Sequence, residues 1–479
     1  MASYIVGSSQ ILSGTTGADS VWVQSGGAGS SEVFALDGND TITIESVDNN
    51  SAAGLTARGA GGADWIHIDS GTFSAGGPKL YGGAGNDTIT VSGGGTYSVI
   101  NTNEDNDLLN AVGSATISSI SFSTGSDTLV LSGTVGNVGM GNGHDEFSGT
   151  VVSVTSASTV KLGDGRDTIE VASLLGAGGA SAITIQGDSD TNFGADSINL
   201  GVTDITGLVV KGQGGSDSIT VSGASVSSLI QGNDGHDVVT VLDFSGDTTI
   251  GGGKGRDTID LDAFAAISGE IFGGNQADSI FIRSGVAVGT DASTMSIAGG
   301  AGADTITISG AANLDSGTYA TLAYSAASES NLAAIDLFQI VSGTTSGAAT
   351  NLSGGVKINV DFNGAANISA ISTGYGVARA GNATSYVVTD ASGIATFEGD
   401  LSGTVNSSVT AAVEALDEAV ITKGDGALFT LAGGAEYLFI QGGSTGTSDD
   451  YVVAFNGMSA SMLSDAGSAF TVTFSGTDS

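Results

Sequence analysis

Fourteen aspartates recur along this chain at a spacing close to 20 residues: Asp19, Asp40, Asp64, Asp87, Asp107, Asp127, Asp145, Asp167, Asp196, Asp217, Asp237, Asp257, Asp278 and Asp304. Gaps between neighbours run from 18 to 29 residues. A regular row of carboxylates supports two kinds of chemistry. It can cap turns by accepting hydrogen bonds from backbone amides. It can also hold hard divalent cations between successive rungs.

The rest of the chain offers little competing chemistry. There are 3 histidines and no cysteines, so neither a disulfide framework nor a Cys-ligated zinc or iron–sulfur site is possible. No HExxH motif, GxSxG elbow or P-loop occurs. His144 and His236 stand directly before a repeated Asp and read as solvated turn residues, and no enzyme is expected. Carboxylate pairs such as Asp449-Asp450 carry no signal in so acidic a chain.

The columns around the aspartates show what must position them. Two residues before the Asp, glycine stands in all copies but Asp105 and Gln276. Two residues after it the side chain is always apolar, from Val21 to Ile306, and four after it the residue is usually aliphatic, as at Val91, Val221 and Ile308. This alternation marks a strand with one buried face. Seven residues before the Asp lies a second apolar column, Leu12, Val33, Leu80, Ile100 and onward to Ile297, broken only at Ala57 and Ser189. Each period therefore carries two short strands flanking a Gly-Asp turn of constant length, and insertions fall in the other connection. The expected fold is all-β: a two-stranded parallel β-solenoid (β-roll) of about 14 coils, roughly 65 Å long at about 4.8 Å per coil.

Stacking would bring equivalent aspartates about 5 Å apart, and at an effective dielectric near 20 each neighbouring pair repels by roughly 3 kcal/mol. Cations between the rungs would remove that cost. Ca²⁺ takes six to eight hard oxygens in flexible geometry, which carboxylates and turn carbonyls of two coils can supply. Glycines such as Gly83, Gly85, Gly253, Gly255, Gly300 and Gly302 permit the positive φ that aims those carbonyls. Every aspartate of the row except Asp107 is a candidate ligand, together with these glycines. The weakest sites are expected at Asp107, where "NTNEDND" replaces the glycines, and at Asp278, preceded by Gln276. The copy at Asp196 carries an insertion, "GDSDTNFGAD", and is expected to bulge. About thirteen ions would lower the net charge from −39 to around −13.

The copies "GGAGNDTIT" (82–90), "GGKGRDTID" (252–260) and "GGAGADTIT" (299–307) fit the nonapeptide G-G-x-G-x-D-x-U-x. Over roughly residues 10–310 the chain resembles the RTX family of calcium-binding β-roll proteins. The resemblance implies a solenoid that binds Ca²⁺. Typical members place the nonapeptides back to back and bind calcium on both edges. Here the phrase occurs once per coil, so one calcium-bearing edge and one plain edge are expected.

From about residue 310 the period stops, and residues 311–479 read as a separate β-rich domain. Within it, "SSVTAAVEALDEAVIT" (407–422) aligns Val409, Ala412, Val413, Leu416, Ala419 and Val420 on one face, predicting a helix. Strands are expected at "ALFTLAG", "EYLFIQGG", "DYVVAFNG" and "FTVTFSG". The string "GGAEYLFIQGGSTGTSDDYVVAFNGM" (433–458) resembles the carboxyl ends of RTX-type bacterial surface-layer proteins, where an uncleaved type I secretion signal resides.

Composition narrows the partners. With 11 basic and 50 acidic residues, the chain lacks the positive face that nucleic acid or anionic membrane requires. No stretch of about 20 apolar residues predicts a membrane span. The start, "MASYIVGSSQIL", has no basic segment leading into an apolar run, so export without a cleavable leader is expected. The expectation is an extracellular, calcium-dependent structural protein that assembles with itself into a surface layer, sheet or filament, with cell-surface polysaccharide as a further partner. The alternative is a secreted adhesin or virion fibre that recognises a host surface.

Overall fold

The computed structural model describes residues 3–6, 10–25, 31–46, 54–70, 73, 77–155, 157–176, 181–188, 194–243, 245–262, 266–283, 295–309, 319–324, 330, 335–341, 356–362, 369–370, 386–389, 394–398, 408–419, 425–442, 450–456, 459–466 and 469–475. Contacts divide the chain into two units, Met1–Asp234 and Gly235–Ser479. The protein is nearly all β, and both units contain a parallel β-solenoid.

In the first unit the two apolar columns become two continuous stacks. After the turns, Val21, Ile42, Ile66, Ile89, Leu109, Leu129, Phe147, Ile169, Ile198 and Ile219 pair in unbroken parallel register. Before the turns, the stack runs Leu12, Val33, Ala57, Leu80, Ile100, Ile120, Val138, Val160, Ile185, Val210 and Ile230. The side chains of both stacks are buried apart from Leu12 at the start of the second. A parallel strand with alternating burial has a natural place in such a coil, because each rung covers the hydrogen-bonding edge of the one before.

Two details differ from the sequence reading. Ala57 does not break its column; it is fully buried between Val33 and Leu80. Ser189 lies outside the described residues, and the column place assigned to it belongs to Ile185. The extra residues of this coil therefore fall between the strand and its turn, so counting back seven from Asp196 lands in the insertion.

The second unit repeats the arrangement with Val239, Ile259, Ile280, Ile306 and Phe338 in one stack and Ile250, Ile271, Ile297, Leu322 and Val360 in the other. Parallel stacking thus continues past residue 310, where the regular spacing ends. In one stack Asp336–Val341 gains a last parallel partner, Tyr451–Asn456; in the other, parallel stacking stops where Val356–Phe362 pairs antiparallel with Ala469–Ser475. An antiparallel partner ends propagation of the solenoid and covers an otherwise open edge.

The strands Asp425–Thr430, Glu436–Ile440 and Tyr451–Asn456 form an antiparallel meander at the expected places. The expected helix spans Val409–Ala419. It packs Ala412, Val413, Ala415 and Leu416 against Phe397, Phe429 and Phe439. Val420, read as part of its apolar face, lies outside the described residues. None of the described helices is long and apolar enough to cross a membrane.

Candidate functional site

The Gly-Asp turn is the chemically distinctive part of each coil. All six glycines singled out in the sequence have positive φ: Gly83 at 134°, Gly85 at 109°, Gly253 at 121°, Gly255 at 130°, Gly300 at 101° and Gly302 at 150°. They occupy the positions four and two before the Asp. A side chain at the nearer position would strike the preceding coil: a Cβ on Gly85 would meet the Gly62 carbonyl oxygen at 2.4 Å, and one on Gly255 would meet that of Gly235 at 1.5 Å. The irregular copies keep the conformation without the glycine. Asn103 and Asp105, before Asp107, and Gln276, before Asp278, all adopt φ near 75°. Asn and Asp enter this region more readily than most residues.

The turn delivers the aspartate inward. All fourteen aspartates of the row are at most 3% exposed. In the first unit, the backbone amide of each one donates to Oδ1 of the next: Asp19 to Asp40 at 2.7 Å, then Asp40 to Asp64 and on through Asp87, Asp107, Asp127, Asp145, Asp167, Asp196 and Asp217, each at 2.8 Å. In the second unit, Asp237, Asp257, Asp278 and Asp304 are linked in the same way at 2.8 Å. Meanwhile the carbonyls of the row accept from the residue that follows the Asp of the next coil, as Asp64 does from Thr88 and Asp304 from Leu337. At the corner the carboxylate thus takes the place of a strand carbonyl. Amide capping, one of the two chemistries open to the row, is present, and it runs between coils; Asp19 also caps within its own turn, accepting from the Thr15 amide at 2.6 Å.

The second unit extends the row by one member that the spacing hides. Asp304 donates to Asp336 Oδ1 at 3.0 Å, although 32 residues separate them. Asp336 is 1% exposed. A signal was present: Phe338 stands two residues after it, where every other copy is apolar, and Ile340 four after it, where most copies are aliphatic.

The second carboxylate oxygen is in a different situation. Oδ2 of Asp40, Asp64, Asp87, Asp127, Asp145, Asp167, Asp196, Asp257 and Asp278 is buried without a hydrogen-bond partner. Glycine five residues before the Asp makes the room around it. A Cβ on Gly59 would lie 2.0 Å from Asp64 Oδ2 and 2.7 Å from the Gly82 carbonyl oxygen of the next coil. The equivalent distances are 2.3 and 2.8 Å at Gly82, to Asp87 Oδ2 and the Thr102 carbonyl, and 2.6 and 2.5 Å at Gly252, to Asp257 Oδ2 and the Gly273 carbonyl. A carboxylate oxygen and a carbonyl oxygen of the following coil therefore flank one small side-chain-free space. This is the first glycine of the nonapeptide, which was not among the glycines singled out as ligands; its column is interrupted, with Phe122, Met140 and Leu162, all buried, at the same position before Asp127, Asp145 and Asp167.

Burial raises these carboxyls above the usual 3.8, opposed by the amide bond to Oδ1 and, except at Asp257, reinforced by neighbouring carboxylates. Asp64, Asp87, Asp127 and Asp145 rise to about 7, Asp196 and Asp278 to about 8. In the inserted coil a further buried acid, Asp188, accepts from the Gly194 amide at 2.7 Å and rises to about 6. Desolvation on this scale disfavours an unneutralised anion.

A second ladder runs outside the first in the opposite sense. Where the residue before the Asp carries a side-chain acceptor, that acceptor takes the amide of the corresponding residue one coil later; alanine or arginine at this place, as at Ala63 and Arg166, interrupts the ladder. Ala63 donates to Asn39 Oδ1, Asn106 to Asn86 Oδ1, and Arg166 to His144 Nδ1 at 3.0 Å. In the second unit Arg256 donates to His236 Nδ1 at 2.7 Å. Both histidines are therefore rungs of a hydrogen-bonded column rather than merely solvated turn residues.

The donor set suits a hard cation: ionised carboxylate oxygens with no other partner, backbone carbonyls of the adjoining coil, and no sulfur or nitrogen competitor in the row. Among the described residues no three acidic or histidine side chains converge on one point. A cation here would take its remaining oxygens from the backbone. Compared with known proteins, the chain matches no protein-family model, and a search of curated proteins finds no match.

Proposed function

We propose that the aspartate rows bind Ca²⁺ and that the protein is a calcium-dependent structural protein of the RTX β-roll type. In this reading it is exported and assembles into an extracellular layer, sheet or filament. The observation that supports it best is the choice of aspartate over asparagine. Asparagine would accept the same inter-coil amide bond through Oδ1, and its Nδ2 would put a donor in place of the unpartnered Oδ2 without any charge. Aspartate instead stands at all fourteen places despite the cost of burying it. A buried anion with a free oxygen calls for a positive charge beside it, and the pairing with backbone carbonyls favours calcium over softer metals.

Aspartate Oδ2 and the carbonyls facing it would hold the ion, while Oδ1 keeps the coils in register. Ions bound only by the folded chain stabilise it by mass action, which would couple folding to calcium-rich surroundings. Calorimetric titration with calcium, followed by circular dichroism with and without chelator, tests the ion. No binding heat and full β structure in chelator would sink it. Electron microscopy of the calcium-loaded protein tests assembly: ordered arrays or filaments are expected, and discrete particles at every concentration would favour an adhesin or virion fibre instead.

A further inference from the structure

We propose that the outer sheet face of the first unit carrying Trp22 and Trp65 is a binding platform for an uncharged polysaccharide. The chain has 2 tryptophans in 479 residues. Both lie on strands that follow a Gly-Asp turn, at outward positions, and they are 44% and 46% exposed. Register places them on two adjacent rows. One row is Ser20, Thr41, Trp65 and Thr88; the other is Trp22, Thr43, His67 and Thr90. Two strand spacings and two residues separate the tryptophans, roughly 12 Å along a flat face, room for a saccharide of about two or three rings.

The indole of Trp65 is braced rather than loose. Its ring lies 5.3 Å from that of His67 with 31° between the planes, and its Nε1 is 3.5 Å from Thr90 Oγ1 on the next coil. It therefore leans across the sheet towards the adjoining row. The aromatic residues of the neighbouring stack are differently placed: the Arg58 guanidinium sits 4.0 Å from the Tyr81 ring centroid and 6.0 Å from that of Phe34.

An exposed indole amid threonine and serine hydroxyls matches the two-sided chemistry of a pyranose, whose ring face is apolar and whose rim is hydroxylated. The charge of −39 argues against an anionic polymer. A cationic partner would be drawn to the carboxylates in general and would not need tryptophan. The inference is independent of whether the turns bind calcium or the chain self-assembles.

Because the only tryptophans are on this face, intrinsic tryptophan fluorescence reports on it alone. The full chain is titrated with cellohexaose, chitohexaose, maltohexaose and mannohexaose, and with alginate as the anionic contrast. Saturable change with at least one neutral hexasaccharide and none with alginate is expected. Trp22→Ala and Trp65→Ala should each weaken that binding by about tenfold, with circular dichroism unchanged because both positions face outward. The double variant, followed by affinity electrophoresis in gels cast with the same glycan type, should not be retarded. The proposal is overturned if no neutral saccharide alters the emission, if alginate binds equally well, or if the double variant binds within about twofold of the parent. It is overturned equally if the emission responds only to protein concentration and sedimentation shows a dimer, since the occupant is then a second copy.

Discussion

The amide nitrogen of Asp64 donates to Oδ1 of Asp87 at 2.8 Å across 23 residues of chain, while Asp87 Oδ2 has no partner. One carboxylate thus does two separable jobs: one oxygen replaces a strand carbonyl at the corner, and the other is left for a cation or a proton.

That division sets the pH response. With no cation present, the carboxyls of Asp64, Asp87, Asp127 and Asp145 titrate near 7 in the folded chain against 3.8 in the unfolded one. The folded state then binds more protons than the unfolded state across this interval, so stability falls as pH rises. It is fully present below pH 3.8 and is lost through about 7, or about 8 for Asp196 and Asp278. In chelator, the melting temperature should drop by more than about 5 °C between roughly pH 5 and pH 8.5. Calcium should abolish most of that drop. A flat profile in chelator would show that the carboxylates are neutralised in some other way.

Asp87→Asn separates the two jobs. Its Oδ1 still accepts from Asp64, and its Nδ2 places a donor where an unpartnered acceptor stood. In chelator above about pH 7 the variant should be more stable than the parent, by about 1 kcal/mol. In calcium it should be less stable, with about tenfold weaker binding at the sites beside that rung. Identical behaviour under both conditions would remove Oδ2 from the binding reading.

Glycine pairs test how the coils approach one another. Gly85→Ala faces a φ of 109° and a contact at 2.4 Å with the Gly62 carbonyl, so it should cost about 1–3 kcal/mol in urea unfolding. Gly17 holds the same place in its own turn, yet among the described residues nothing lies within 4 Å of a Cβ there. Gly17→Ala should stay within about 0.5 kcal/mol of the parent. Equal costs at the two sites would mean that stacking does not dictate the glycine.

Asp336→Ala removes the acceptor for the Asp304 amide and should destabilise the second unit by about 1–3 kcal/mol. Hydrogen exchange is the suitable readout, because protection should fall at the Asp304 amide and its neighbours while the Asp87 amide is unaffected. Unchanged exchange at Asp304 would exclude Asp336 from the row.

Much of this was legible in one dimension. The period, the two inward columns, the turn and the positive φ of Gly83, Gly85 and Gly302 follow from local patterns, since strand alternation and left-handed turns are written within ten residues. The helix at Val409–Ala419 was readable for the same reason. Contacts between coils were not, because they join residues about 20 positions apart and depend on how the coils stack. Only the tertiary structure placed Ile185 in the column instead of Ser189, enrolled Asp336 across a gap of 32, and turned His144 and His236 into hydrogen-bonded rungs. It also divided the carboxylate into an engaged Oδ1 and an unpartnered Oδ2. The spacing determined that aspartates would stack. Burial and the neighbouring coil decided which oxygen was already satisfied, because a buried acceptor is satisfied only by a donor that the fold brings within reach.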